Sequence, residues 1–334
     1  MNTSNTHKMK HPETTSFISC DWGTSRLRLR AVAAGSMEIQ GEAISECGVA
    51  RTFEQWEKEG KGLSRIDFFA GVLRRELLQL DPIMARHTRE LPLLCSGMAS
   101  SSMGILELPY AALPFSLDGS GAITARVASE ILPNPIFLIS GVKSTGDVMR
   151  GEETELLGTA ALSPQLPPCF LALLPGTHSK HIRVANNSIR GFDTFMTGEV
   201  FQLVSEHSTL RHSLHTREGT DFEFFDLGVE QAGRAPLLKN LFQVRANALL
   251  KGLTPAQNHS FLSGLLIGAE LQAIRPEKSE KIVLLGNDVL KPLYARAWAH
   301  SGMQSGLIEI PEKVYDRSVL TGQWHIYQHQ TQQK

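Results

Sequence analysis

The 334-residue chain lacks a charge excess: 33 Lys and Arg stand against 34 Asp and Glu, a formal balance of −1. That removes the electrostatic case for nucleic acid or an anionic membrane as a partner. Cysteine is scarce. The four residues Cys20, Cys47, Cys95 and Cys169 stand far apart, with no CxxC and no Cys/His ligand spacing, so a zinc site is not expected. Cys20 and Cys95 sit in apolar runs and read as buried thiols, which suits a reducing cytoplasm. No apolar run approaches the length of a bilayer span, and the polar start MNTSNTHKMKHPETTS has no signal-peptide core. A GxxxxGKS/T P-loop is also absent.

What is present is the composition of a globular protein, 42% hydrophobic and 20% charged, with length for two domains. The chain is organised around FISCDWGTSRLRLR, Phe17 to Arg30. Phe17, Ile18 and Cys20 read as a buried strand. Trp22-Gly23-Thr24-Ser25 breaks the run, and Arg26 to Arg30 alternates charged and apolar, a second strand with one buried face. The glycine lets backbone approach a ligand. The turn amides, with the Thr24 and Ser25 hydroxyls, are able to hold phosphate oxygens. Asp21, at the mouth of the turn, is the candidate to hold a magnesium ion through water.

The same design recurs in FLALLPGTHSKHIRV, Phe170 to Val184: an apolar strand, a turn with Gly176, Thr177 and Ser179, then an alternating strand. One such hairpin per half suggests a duplicated fold with phosphate clamped between the halves, a trait of the actin-like and sugar-kinase superfamily. The proline-rich stretch Ser163 to Pro168 reads as the linker. The expected divisions are a disordered extension at 1–16, an N-terminal domain at 17–162, a C-terminal domain at 168–325 and a frayed tail at 326–334.

Between these landmarks the pattern predicts a strand over Met37 to Ile44, a loop over Glu46 to Arg51 and a helix over Ile66 to Leu80 with Asp67 helping to cap it. A buried strand, Leu91 to Cys95, ends in the Gly/Ser-rich loop Ser96 to Gly104, where α/β folds place ligands. Gly151 to Leu162 is a helix with glutamates in its first turn, as the helix dipole favours. Further helices are expected at Val200 to Glu206, Phe261 to Ile274 and Pro292 to His300, and a strand at Ile282 to Leu285; His207 to Phe225 shows no clear pattern.

The segments DWGTSRLR, SGMASSSMG, GDVMRGEETELLG, LLPGTHSKHI, FDTFMTGE and FLSGLLIGAE resemble, in order, those of the 2-dehydro-3-deoxygalactonokinase family. The resemblance runs from about Asp21 to Asp288, leaving out the termini and His207 to Phe225. It implies an α/β fold of two ribonuclease-H-like, actin-like ATPase domains with mixed sheets around a central cleft. It implies ATP-dependent phosphorylation of 2-dehydro-3-deoxy-D-galactonate on its 6-hydroxyl, with ATP and Mg2+ as cofactors and the small-molecule sugar acid as partner. No nucleic acid or membrane partner is expected, the location is expected to be cytoplasmic, and a homodimer is left open.

On that resemblance, Gly23, Thr24, Ser25 and Arg26 form one phosphate turn and Gly176, Thr177, His178 and Ser179 the other. Lys180 is a phosphate partner or an exposed strand lysine. Similar sugar kinases carry an aspartate at the start of the helix before the second hairpin, so the base is Glu152 or Asp147; ordinary helix N-terminal charge, or a cap, is the alternative. The substrate carboxylate suits an arginine fork, from Arg150 or Arg51, unless these are surface ion-pair residues. Ser96, Met98, Ser100 and Ser101 are candidates to line sugar hydroxyls, and Gly286 and Asn287 to meet adenine. Domain closure is expected to hinge near Gly158 to Leu162 and Gly264 to Gly268. The rivals are a kinase for another sugar or sugar acid, and a non-catalytic sensor of the same fold.

Overall fold

Strand β1 (Ser16–Trp22) is buried on both faces: Phe17, Ile18, Cys20 and Trp22 are all fully covered, and Ser19 is buried with them. It turns through Gly23–Arg26 into β2 (Leu27–Ala33), then β3 (Glu38–Ser45), whose alternating exposure marks a sheet edge. The computed structural model describes residues 16–60, 62–80, 90–214, 219–274, 280–302 and 306–332. The expected extension at 1–16 therefore lies outside them except for Ser16, which opens β1.

Helices α1 (Val49–Glu59) and α2 (Arg65–Leu77) follow. Ser64 is the α2 cap, its hydroxyl accepting the Asp67 amide, and Asp67 helps as expected, its carboxylate accepting the Ser64 hydroxyl. Helix α1 replaces the expected loop at its end, so Arg51 lies in a first helical turn. Next come β4 (Leu93–Gly97), β5 (Ala111–Ala112), β6 (Phe115–Ser116), β7 (Thr124–Val127), β8 (Ile136–Ile139), β9 (Val142–Lys143), β10 (Val148–Met149) and α3 (Glu152–Leu162). The first sheet has the order β3-β2-β1-β4-β8-β7, with β4 and β8 parallel to β1.

The second half repeats this. Strands β11 (Cys169–Leu174), β12 (Ser179–Ala185) and β13 (Ser188–Phe195) form an antiparallel meander. Helices α4 (Thr197–His207), α5 (Phe222–Ala232), α6 (Leu237–Leu241), α7 (Gln243–Leu250) and α8 (Pro255–Leu271) precede β14 (Lys281–Leu284), α9 (Leu290–His300), β15 (Leu307–Glu309) and α10 (Glu312–Gln332). The sheet order is β15-β14-β11-β12-β13-β6, with β14 and β15 parallel to β11. Without β6 and β7, the two sheets have one order and one set of directions. This is the α/β architecture of two mixed sheets that the resemblance implies. Strand β6, from the first half, completes the edge of the second sheet. Among the described residues, no helix is long and apolar enough to cross a membrane.

Helix α10 carries the chain back to the first half. Trp324 stacks on Phe17 at 4.8 Å between ring centroids, and the Gln323 side-chain amide donates to the Cys20 carbonyl and the Ser96 hydroxyl. It crosses α3 with backbones nearly touching: a Cβ on Gly158 would sit 1.8 Å from the Ser318 carbonyl oxygen, and one on Gly322 1.9 Å from that of Thr154. The end of the chain thus differs from the expected frayed tail. Residues 326–332 are helical and Ile326 is fully buried. Its apolar residues find distant partners: Leu320 and Trp324 pack with Phe17 of β1, and Ile326 with the core around Phe115. Gly264 and Gly268 lie in a crossing of α8 with α5, inside the second half.

Candidate functional site

The two Gly-hydroxyl turns end the first strand of each sheet. In the first, the Gly23 amide donates to the Arg26 carbonyl at 2.9 Å, and the Gly23 and Thr24 carbonyls accept amides from the start of α1. Thr24, Ser25 and Arg26 are exposed, and Arg26 pairs at the surface with Glu46. In the second, Thr177 and His178 are exposed, while Ser179 and Lys180 are buried as β12 begins. The Ser179 hydroxyl lies 2.9 Å from the Tyr294 hydroxyl, and His178 pairs with Glu199. Lys180 is no surface lysine: its ammonium is covered and sits 3.0 Å from Glu152 Oε1. That contact joins β12 of the second half to α3 of the first.

A cavity of 250 Å³ opens at this junction, lined by Glu152, Glu155, Gly176, His178, Gly286 and Tyr315 among others. The start of α3 reaches it because two glycines hold left-handed backbone, Gly97 at φ 77° and Gly151 at φ 115°. A Cβ on Gly151 would approach the Gly97 Cα to 3.3 Å, and one on Gly97 would lie 3.6 Å from Asp21 Oδ1. So α3 begins beside Asp21.

The acids gathered here disfavour one another's charge. Burial raises the Asp21 carboxyl above its ordinary range and Glu152 adds to this, against Arg28 and Arg30; Arg28 is directly opposite Asp21 in the β1–β2 register. Glu155 is pushed up to about 8, first by burial and then by Asp21 and Glu152. Glu153, whose carboxylate accepts the Gly151 amide and the Thr154 hydroxyl, is raised to about 7 by burial and by Glu152. The negative charge of Glu155 and burial together raise the Tyr315 phenol. Among the described residues, no group of three His, Cys, Asp or Glu side chains forms a metal cage. Asp21 is instead a desolvated carboxylate that feels the charge of Glu152, an oxygen donor of the kind that suits a hydrated magnesium ion.

Of the remaining candidates, Gly286 alone lines that cavity. Asp147 is held by three donors, the Val148 and Thr194 amides, each at 2.7 Å, and the Thr194 hydroxyl at 2.9 Å; it pins the β9–β10 hairpin to β13. It lines a separate groove of 810 Å³ between the β9–β10 hairpin and strands β12 and β13. The Arg150 guanidinium donates to the Ser100 carbonyl and hydroxyl at 2.7 Å and lies over the Tyr110 ring, 4.2 Å from its centroid. Ser100 donates to the Ile139 carbonyl, Ser101 to the Met98 carbonyl, and Ser96 accepts from Gln323. The Ser96 to Gly104 loop is therefore stapled to the protein, with Met98 half-buried on the core. Arg51 is exposed on α1. Gly286 lines the cavity, whereas the Asn287 side-chain Oδ1 accepts the Val289 and Leu290 amides just ahead of α9.

Sequence reasoning did not single out Glu155 and Tyr315. Glu155 had a signal, since it stands three residues after Glu152 and so on one helix face. Tyr315 had none, because only the return of α10 brings it to the cavity.

The family model that matches residues 21–326 is described as 2-keto-3-deoxy-galactonokinase. The chain is 31% identical over 297 residues to the 2-dehydro-3-deoxygalactonokinase of Escherichia coli (strain K12), covering 86% of this chain and 91% of that one. It is 31% identical over 309 residues to a protein of Rhizobium meliloti (strain 1021) named as the same kinase, covering 89% and 94%. A crystal structure from Sinorhizobium meliloti, of a protein assigned as a 2-dehydro-3-deoxygalactonokinase, superposes with a TM-score of 0.75 at 27% identity, over 93% of this chain and 96% of that one.

Proposed function

The chain belongs to the 2-keto-3-deoxy-galactonokinase family, and we propose that it moves the γ-phosphoryl group of ATP to the 6-hydroxyl of 2-dehydro-3-deoxy-D-galactonate, giving the 6-phosphate and ADP. The observation that carries this reading is the meeting, across one cavity, of the Gly176–His178 turn from the second half and the acid-bearing start of α3 from the first. Phosphoryl transfer asks for a positioned acceptor, a base and neutralised phosphates, with little covalent chemistry from the protein.

Each requirement has a residue. The nucleotide phosphates rest on the two turns, Gly23 to Arg26 and Gly176 to Ser179, and adenine lies on the Gly286 side. Lys180, released from Glu152, turns its ammonium to the transferred group. Glu152, at the cavity, accepts the proton of the attacking hydroxyl; Asp147, with its carboxylate already occupied by three donors, serves as a structural pin. Asp21 would hold a hydrated magnesium ion, which would supply neutralisation of phosphate charge. The sugar acid enters between Glu152 and the Ser96 to Gly104 loop, where Arg150 shapes the wall through its bonds to Ser100.

The test is ADP release from magnesium-ATP with 2-dehydro-3-deoxy-galactonate, beside its gluconate epimer and plain sugars. Turnover with the galactonate derivative above the others supports the reading. Equal turnover with a plain sugar moves the substrate, and nucleotide binding without turnover on any acceptor favours a sensor.

A further inference from the structure

Behind the second turn, facing away from the cavity, lies a buried polar chain that the phosphoryl-transfer reading does not use. Glu270, on α8, is 4% exposed. Its Oε2 accepts the Tyr294 hydroxyl at 2.6 Å and also the Thr197 hydroxyl, and its Oε1 meets His181 Nε2 at 2.9 Å. The Tyr294 oxygen lies 2.9 Å from Ser179 Oγ, which in turn accepts the Gly176 amide at 3.4 Å.

The anchor sets the direction of every bond. A carboxylate only accepts, so Tyr294 must donate to it and has only lone pairs left for Ser179. Ser179 therefore donates to Tyr294 and keeps its own lone pairs for the Gly176 amide. His181 presents an Nε2–H for the same reason. The phenol stays protonated, since burial and the charge of Glu270 raise it well above its ordinary value. Thr197 opens α4, whose first turn lies against the phosphate turn: the Glu199 amide donates to the Thr177 carbonyl at 3.0 Å, and a Cβ on Gly198 would fall 2.6 Å from the Gly176 carbonyl oxygen. One carboxylate thus reaches both flanks of Gly176–Ser179, through Tyr294 on one side and Thr197 on the other.

We propose that Glu270 is a positioning residue for nucleotide phosphate, acting through Tyr294 and Thr197 to hold the Gly176–Ser179 turn in the shape that receives phosphate oxygens. It touches neither substrate; it sets the backbone that does. This rests on the second turn being a phosphate site, as in the reading above, but not on the identity of the acceptor.

The experiment is calorimetric titration with magnesium-ADP of the full chain, of Tyr294→Phe and of Glu270→Gln, with steady-state kinetics alongside. Tyr294→Phe keeps the ring and removes only the hydroxyl, breaking its bonds to Glu270 and Ser179 together, so it stands as the test should Glu270→Gln fail to fold. Loss of one charge-assisted link is expected to weaken nucleotide affinity roughly tenfold and to raise KM for ATP while leaving KM for the sugar acid unchanged. The double variant is expected to be no weaker than the worse single one, because both act through one chain. Nucleotide affinity within about twofold of wild type in a folded Tyr294→Phe overturns the proposal, as does an equal rise in both KM values. Weakened nucleotide binding in the variants, from a wild type that phosphorylates no acceptor, sinks the proposed reaction and leaves the positioning role standing. A wild type that binds no nucleotide overturns both.

Discussion

Lys180 Nζ lies 3.0 Å from Glu152 Oε1, and this ion pair spans the two halves of the molecule at the edge of their shared cavity. The lysine is almost wholly covered, while the glutamate keeps about a quarter of its side chain in water. Removing the lysine alone strands a partly buried carboxylate. Lys180→Met is therefore expected to cost roughly 1–3 kcal/mol of stability, and Glu152→Gln in the same chain to restore most of it. Urea midpoints across the double-mutant cycle read this directly; additive losses would show that the pair is not coupled.

The two candidate bases separate by what already occupies them. Glu152→Gln is expected to lower turnover by about 10²–10⁴-fold, the range for a lost general base. Asp147→Asn is expected to keep turnover within roughly tenfold and to lose about 1–2 kcal/mol of stability as its bonds to Thr194 weaken. Collapse of activity in Asp147→Asn alone would move the base to the hairpin.

Glu155 predicts a pH dependence of stability. Its carboxyl is raised from 4.5 to about 8 in the folded protein, so between those values the folded state holds a proton that the unfolded chain has released. Stability from this group is complete below about pH 4.5 and falls as pH rises towards 8, by at most about 1.4 kcal/mol per pH unit. Glu155→Gln removes that dependence. Thermal midpoints from pH 5 to 8 should show the variant gaining on the wild type as pH rises; parallel curves would refute the assignment.

The crossing of α3 and α10 leaves no room for a methyl group. Gly322→Ala places a Cβ 1.9 Å from a carbonyl oxygen of the opposing helix backbone, which cannot swing aside as a side chain would. The expected loss is about 3 kcal/mol or more, measured as a shift in the urea midpoint. We further propose that the halves close on their ligands about this crossing. Small-angle scattering with the sugar acid and a non-hydrolysable nucleotide should then show compaction in the wild type.

The hairpins were legible because their signals are local. Phe17 to Arg30 and Phe170 to Val184 each carry an apolar run, a glycine turn and strict alternation, and those patterns depend only on neighbours in the chain. The recurrence of that pattern was enough to expect a duplicated fold, and the two sheets show it in their matching strand orders. Helix α3 was legible for the same reason, with its glutamates at the N-terminus. Helix α1 was not, since only Val49 and Thr52 are fully buried in it and its apolar stripe is thin.

The site was less legible than the fold. Ser96, Ser100 and Arg150 have the chemistry of sugar-binding residues, yet their hydrogen bonds close on Gln323, Ile139 and one another. Composition cannot show whether a polar group is already paired. Asp147 and Glu152 looked alike in sequence and separate only when their partners are seen.

The sequence by itself determined the class of fold, the two Gly-hydroxyl turns and the family, because each is written in contiguous residues. Tertiary structure alone decided that Lys180 meets Glu152, that Tyr315 and Glu155 crowd Asp21, and that Glu270 stands behind the second turn. The reason is physical. These pairs are separated by tens to hundreds of residues, and their energies depend on burial and on distances of a few ångströms, which no local pattern encodes.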